Sequence, residues 1–350
     1  MLTLYRKIHD RIQNGWHQQH LRLLLLAFLM LASVVWVAGS EASSDSLWEE
    51  SYVSASDLAA VYGTEQDAIG LAAANELLLD MTNDARCNAG LATLAWDELA
   101  ASAAQQHAEE MAREHYPGHY NLAGFKCEMR FNLLGGTDHV SENYAYYEVA
   151  HTIHLTPQLI ERMMQHWLDS PSHSARIFSD EHTGLGCGIA QVYDAGVTYA
   201  AGVVEFVNDY GNHQRLPDHA AAGDTITVTG VIAPELARFA YVGIGIEPLP
   251  TKRDPTYQRE NTGNYRTPAV LLALAPCGSP GQRHPPLAIQ RRYVVEYDNT
   301  TGEYAVEVTL LPGCLQGAYY ITTWAEPLLA ADEFRTERAV CTMTQVVLVE

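Results

Sequence analysis

The run Trp167-Leu168-Asp169-Ser170-Pro171-Ser172-His173 ends one pattern and begins another. Before it, Leu159, Ile160, Met163, Met164 and Trp167 recur at helical spacing. Thr156 is placed to cap that helix, Pro157 suits its first position, and Pro171 closes it. After it, Gly184-Leu185-Gly186-Cys187-Gly188 leads into strand-like segments over 184–193 and 197–207, the second carrying Tyr199 and Val204-Glu205-Phe206. Toward the N-terminus, an apolar face of Ile69, Leu71, Ala72, Leu77, Leu78 and Met81 predicts a helix from about 68 that stops near Asn88–Gly90. A second helix is expected from Asp97 to Glu114, with Leu99, Ala103, His107, Ala108 and Met111 on one stripe. Residues 115–140, with Pro117, Gly118, Gly124, Gly135 and Gly136, read as loop. Helices and strands thus share one stretch, which is the pattern of an α/β domain over 68–211.

The pattern changes near Gly211. Residues 212–223 read as a polar linker. Beyond them, 224–350 falls into short β-prone runs: 225–231, 240–246, 293–297, 304–310, 318–324 and 341–349. Turns separate these runs, and they predict an all-β, immunoglobulin-like sandwich, with long loops over the proline-bearing stretch 248–290. At the N-terminus Arg6, Lys7, Arg11 and Arg22 precede a nearly unbroken apolar run, Leu21–Ala38, and then the small residues Ala38, Gly39, Ser40 and Ala42. That is the pattern of a signal peptide, or of an uncleaved signal anchor, over 1–42, with a tether over 43–67. Either reading places the rest of the chain outside the cytoplasm, secreted or anchored by its N-terminal segment. Six cysteines in an exported chain can form disulfides; Cys87 with Cys127 is the favoured pair, and Cys187, Cys277, Cys314 and Cys341 stay unassigned. A formal net charge of -21 repels phosphate backbones and argues against a nucleic-acid partner. The 47% hydrophobic content is that of a folded chain, long enough for two domains.

Several motifs stand in order across the middle third: Asn83-Asp84-Ala85-Arg86; Leu94-Ala95-Trp96-Asp97; His115-Tyr116-Pro117-Gly118-His119; Ser141-Glu142-Asn143; Trp167 to His173; and Gly184-Leu185-Gly186 leading to Phe206. In this order they resemble the CAP superfamily of cysteine-rich secretory, antigen 5 and pathogenesis-related 1 proteins, in its microbial, SCP-like branch. The likeness spans about 70–210 and none of 212–350. It departs from the pattern at Ser141, where the family has glycine, and at Ser174, where arginine is common. The Gly-His-Tyr-Thr-Gln segment of the animal and plant branches is absent. The resemblance implies a three-layer α-β-α sandwich with one open cleft. His119 and Glu142 match the family's cavity His and Glu, His173 is the candidate second imidazole, and Glu205 is the weakest match.

Two imidazoles with one or two carboxylates can hold a divalent cation such as Zn²⁺, with His119 and His173 as ligands. Alternatively, a carboxylate can orient a histidine as general base. No serine or cysteine has an evident triad arrangement, and no His-Glu-x-x-His run is present. His107, on an apolar stripe, reads as a core histidine. Three functions follow: a binding module for a small molecule, a lipid or a cell-surface ligand; a metal- or His-dependent hydrolase of peptide or cell-wall material; or a structural surface protein with a vestigial cleft. The first is preferred because the nucleophile is missing.

Overall fold

The structure is a computed structural model, and it describes residues 55–263, 265, 268–274, 295–310, 316–328 and 339–349. The expected signal segment, Cys277 and Cys314 lie outside the described residues.

Helix α1 (Ala55–Tyr62) falls where a tether was expected. Its Leu58, Val61 and Tyr62 sit at i, i+3 and i+4 and pack into the same apolar cluster as the helices that follow. Helix α2 (Leu71–Asn88), strand β1 (Ala95–Trp96), helix α3 (Glu98–Glu114) and helix α4 (Cys127–Leu133) come next. The Asp97 side chain caps α3 by accepting from the Ala100 amide at 2.7 Å. Helix α4 corrects the loop expected over 115–140. Its apolar Cys127, Met129 and Phe131 are buried although it has only seven residues, too few to show a helical period clearly.

Strand β2 (His139–Val149) was not foreseen: almost every residue in it is buried, so polar-apolar alternation is lost. Helix α5 (Pro157–Asp169) begins as expected, with Thr156 as its cap. Pro171, rather than simply ending it, opens helix α6 (Pro171–Ile177) at the first position. Strands β3 (Gly184–Asp194) and β4 (Val197–Asn208) complete a sheet of order β1-β3-β4-β2, in which β1 runs parallel to β3 and the other pairs are antiparallel.

Because side chains alternate across a strand, this sheet has two distinct faces. Tyr144, Tyr146, Ala201 and Val203 pack with Ala104, Ala108 and Met111 of α3. Ala145, Tyr147, Ala200, Val204 and Phe206 pack with Leu78 of α2 and with Leu159, Met163 and Trp167 of α5. The glycines of β3 lie under α3. A Cβ on Gly186 would sit 1.9 Å from the Ala101 nitrogen, and one on Gly188 would sit 2.1 Å from the Gln105 nitrogen. Leu185, Cys187 and Ile189 turn to the other core.

The remainder is all-β. Strands β5 (Gly211–His213) and β6 (His219–Ala220) lie in the expected linker. Then come β7 (Thr225–Ile232), β8 (Ala237–Glu247), helix α7 (Pro255–Glu260), β9 (Ala269–Leu274), β10 (Val295–Tyr297), β11 (Glu303–Thr309), β12 (Gly317–Pro327) and β13 (Val340–Val349). They form two sheets, β10-β11-β7-β5 and β6-β13-β12-β8-β9. Val228, Phe239, Val306, Tyr319, Ile321, Met343 and Val347 form one apolar cluster between them.

The all-β part is joined to the α/β part by side chains that hydrogen-bond the backbone of β13. Asn132 donates to the Thr344 carbonyl at 3.0 Å and accepts from the Val346 amide at 3.0 Å; Asn208 donates to the Cys341 carbonyl at 2.8 Å. His139 Nδ1 meets the Thr344 hydroxyl at 2.8 Å. The favoured disulfide is corrected. Cys87 is exposed at the end of α2, whereas Cys127 is buried with its Sγ toward the Val140 carbonyl; both are free thiols, as are Cys187 and Cys341.

Candidate functional site

Glu142 of β2 and Glu205 of β4 are direct cross-strand partners on the α3 face. Two carboxylates placed this way repel each other, and both are buried. Arg130 of α4 resolves the conflict. Its Nη2 donates to Glu142 Oε2 and lies 3.5 Å from Glu205 Oε1. Its Nη1 donates to the His119 carbonyl at 2.9 Å and the Phe125 carbonyl at 3.2 Å.

Burial pushes the Glu142 carboxyl upward, but the Arg130 guanidinium, with His107 and His119, outweighs that and holds it below the usual carboxylate range. Burial raises Glu205 well above that range, because one guanidinium cannot offset two buried carboxylates and Glu142 adds repulsion. The two carboxyls are thus pushed in opposite directions around one cation, Glu142 toward the charged form and Glu205 toward the protonated one.

His119 is buried in the loop between α3 and α4. Its Nδ1 lies 2.9 Å from Glu142 Oε1, and its Nε2 is buried with no hydrogen-bond partner among the described residues. The ionised carboxylate fixes the proton on Nδ1 and leaves Nε2 as an acceptor. Tyr265, far along the chain, covers this centre. Its hydroxyl lies 3.1 Å from Glu142 Oε1 and 3.0 Å from the His119 carbonyl, and it accepts from the Cys127 amide at 3.1 Å. Its ring lies 4.7 Å from that of His119. His107 of α3 stands beside this group with Nε2 2.8 Å from the Gly118 carbonyl, and burial lowers its pKa to about 3.

Of the residues singled out in the sequence, His119, Glu142 and Glu205 come together. His173 does not join them. It is buried on α6, its carbonyl accepts from Asn143 Nδ2 at 3.1 Å, and its ring lies 5.8 Å from that of His166 on α5. Asn143 points to the opposite face from Glu142, so the sheet separates the two histidines. No group of three or more His, Cys, Asp or Glu able to hold a metal ion is present among the described residues.

The donor set also does not suit a cation. Both oxygens of Glu142 are already engaged, and the Arg130 guanidinium occupies the place between the carboxylates where a cation would sit. Arg130 was missed in the sequence, although a basic residue flanked by the apolar Met129 and Phe131 was the available signal. Tyr265 gave no signal; it lies in a stretch read as loop.

An uncharacterised membrane protein of Bacillus subtilis, YlbC, is 29% identical over 116 residues, which are 33% of this chain and 31% of that protein. The chain thus spans about a third of that relative's length. Among solved structures, an extracellular protein containing an SCP domain from Bacillus anthracis shares 21% identity over 46% of this chain and 45% of its own, at a TM-score of 0.32. An outer surface protein from Borrelia burgdorferi shares 18% identity over 40% of this chain and 96% of its own, at a TM-score of 0.33. The model of the CAP (cysteine-rich secretory protein) family matches residues 79–206, the span from α2 through β4 that holds His119, Arg130, Glu142 and Glu205.

Proposed function

We propose that this chain is an exported binding module whose working centre is the His119–Glu142 pair, taking a small, lipidic or surface-borne ligand outside the cytoplasm. The observation that carries the reading is a fixed imidazole edge beside which the described residues set no serine or cysteine nucleophile in hydrogen-bond contact. Glu142 holds His119 in one tautomer, and Nε2 is left as a buried acceptor. The nearby thiol, Cys127, is buried, and burial raises it well above the ordinary range, so it stays protonated and a poor nucleophile. For the all-β part we propose the immunoglobulin-like sandwich, supported by two sheets sharing one apolar cluster; it would present a second surface. The N-terminal segment would deliver the chain across the membrane, by cleavage or as an anchor.

The same geometry favours one alternative. A histidine whose Nδ1 is held by a carboxylate is the orienter-base half of a hydrolytic site, and Nε2 could take a proton from water. Incubating the full chain with peptide and cell-wall fragments, beside His119→Ala, separates the two. Turnover that disappears in the variant would overturn the binding reading. A ligand-dependent rise in Tm, lost in His119→Ala and without turnover, supports it.

A further inference from the structure

Residues 248–268 connect β8 to β9, and this connection is long for a compact domain. It does not stay with the all-β part. It crosses to the loop that carries His119 and lies on it through a few spaced anchors. The Arg253 amide donates to the Leu122 carbonyl at 2.9 Å. The Arg253 guanidinium stacks 3.6 Å over the Tyr120 ring. Gln258 is buried and donates through Nε2 to the Tyr120 carbonyl. Arg259 pairs with Glu148 of β2 at 2.6 Å. Tyr265 ends the path over Glu142.

At Gly124, whose φ is +85°, the two backbones approach so closely that a Cβ would lie 2.3 Å from the Thr251 carbonyl. Between the anchors the segment faces solvent: Lys252, Asp254, Thr256, Tyr257 and Glu260 are exposed. A segment held by one main-chain bond, a stacked cation, a buried amide and a phenol has the contact pattern of a bound peptide and not of a packed core. Sparse apolar burial also places it at the low-stability end of the fold.

Resting on the binding reading above, we propose that the cleft is a peptide-binding groove and that Thr251–Gly263, with Tyr265, is its tethered internal ligand. The ligand class follows from the anchors: a peptide with a short helical turn like α7, an arginine to stack on Tyr120 and a phenol to reach Glu142. Such a peptide binds only in the fraction of molecules whose own segment has lifted, so loosening the segment tightens apparent affinity in proportion to that fraction. The Lys126–Glu247 ion pair (2.6 Å) lies at the segment's base and stays with β8.

The test uses a fluorescein-labelled peptide copying residues 249–265, titrated into the full chain and followed by anisotropy. The double variant Arg253→Ala, Tyr265→Phe should bind the peptide roughly tenfold or more tighter than the unaltered chain, and adding Tyr120→Ala should abolish the gain. A cooperatively folded double variant that binds no better than the unaltered chain overturns the proposal. Hydrogen exchange on the unaltered chain gives a reading that needs no variant. Amides of 251–263 should exchange much faster than those of β8 and β12, and protection equal to those strands would make the segment core and overturn the proposal. Turnover lost in His119→Ala would instead sink the binding-module reading and leave the exchange result standing, so the two failures are distinguishable.

Discussion

Arg130 holds the centre together electrostatically, and its removal is the sharpest single-residue test. It is buried against two carboxyls, and it holds Glu142 below the usual carboxylate range. Arg130→Met would strand the Glu142 charge in a buried site, a cost of about 3–5 kcal/mol. Glu142→Gln added to that variant removes the stranded charge and should recover a large part of the loss. Denaturant unfolding of the two variants beside the unaltered chain measures both steps. A double variant no more stable than Arg130→Met would show that the ion pair is not what the site depends on.

The same arginine bears on metal binding. Because its guanidinium lies between the carboxylates and because His173 lies on the other face of the sheet, Zn²⁺ titrated into the metal-stripped chain should give no saturable heat that is lost in both His119→Ala and His173→Ala. One-equivalent binding abolished by both would contradict this geometry.

At the scale of elements, the packing of α3 on β3 is set by two glycines. Gly186 and Gly188 let the helix backbone approach to where a methyl group would overlap it, at 1.9 and 2.1 Å. Gly186→Ala must push α3 away from a sheet whose other residues are tightly buried, and should cost about 1–3 kcal/mol or more. Gly70, the uncapped N-cap of α2 with open space around its Cβ position, provides the control. Gly70→Ser should leave stability unchanged or raise it by a few tenths of a kcal/mol. Thermal melts of the two variants decide the matter, and a Gly186→Ala chain that melts like the parent would remove the close-approach argument.

At the scale of the whole molecule, pH acts on the joint between the α/β and all-β parts. Burial lowers His139, His182 and His213 to about 4 and His107 to about 3. His139 and Asn208, the partner of His182, both contact β13. For these depressed groups the unfolded chain takes up protons that the folded chain refuses. Their contribution is therefore present above about pH 6.5 and lost as pH falls toward 4. Asp138 (raised to about 7), Glu128 and Glu205, all raised first by burial, act in the opposite direction over the same window. Four imidazoles against three carboxyls leave stability falling on acidification. Denaturant unfolding at pH 6.5 and pH 5 checks the sign, and a chain more stable at pH 5 would show that the carboxyls win.

The sequence by itself determined the elements that local chemistry specifies: the helix opening at Asp97, the Thr156 cap, the helix faces, the glycine-bearing strand from Gly184, and the ordered motifs that bring His119, Glu142 and Glu205 into view. It could not show β2, because a strand buried on both faces has no alternation to read. Nor could it show α4, because seven residues hold less than two full turns of pattern. Tertiary structure alone decided that His173 stands across the sheet from His119, since that depends on which face of the sheet α6 packs against, and no local pattern sets it. It alone brought Arg130 between the two glutamates and carried Tyr265 across more than a hundred residues of chain to cover them. Partners this distant in sequence are chosen by the packing of whole elements, and no local pattern encodes them.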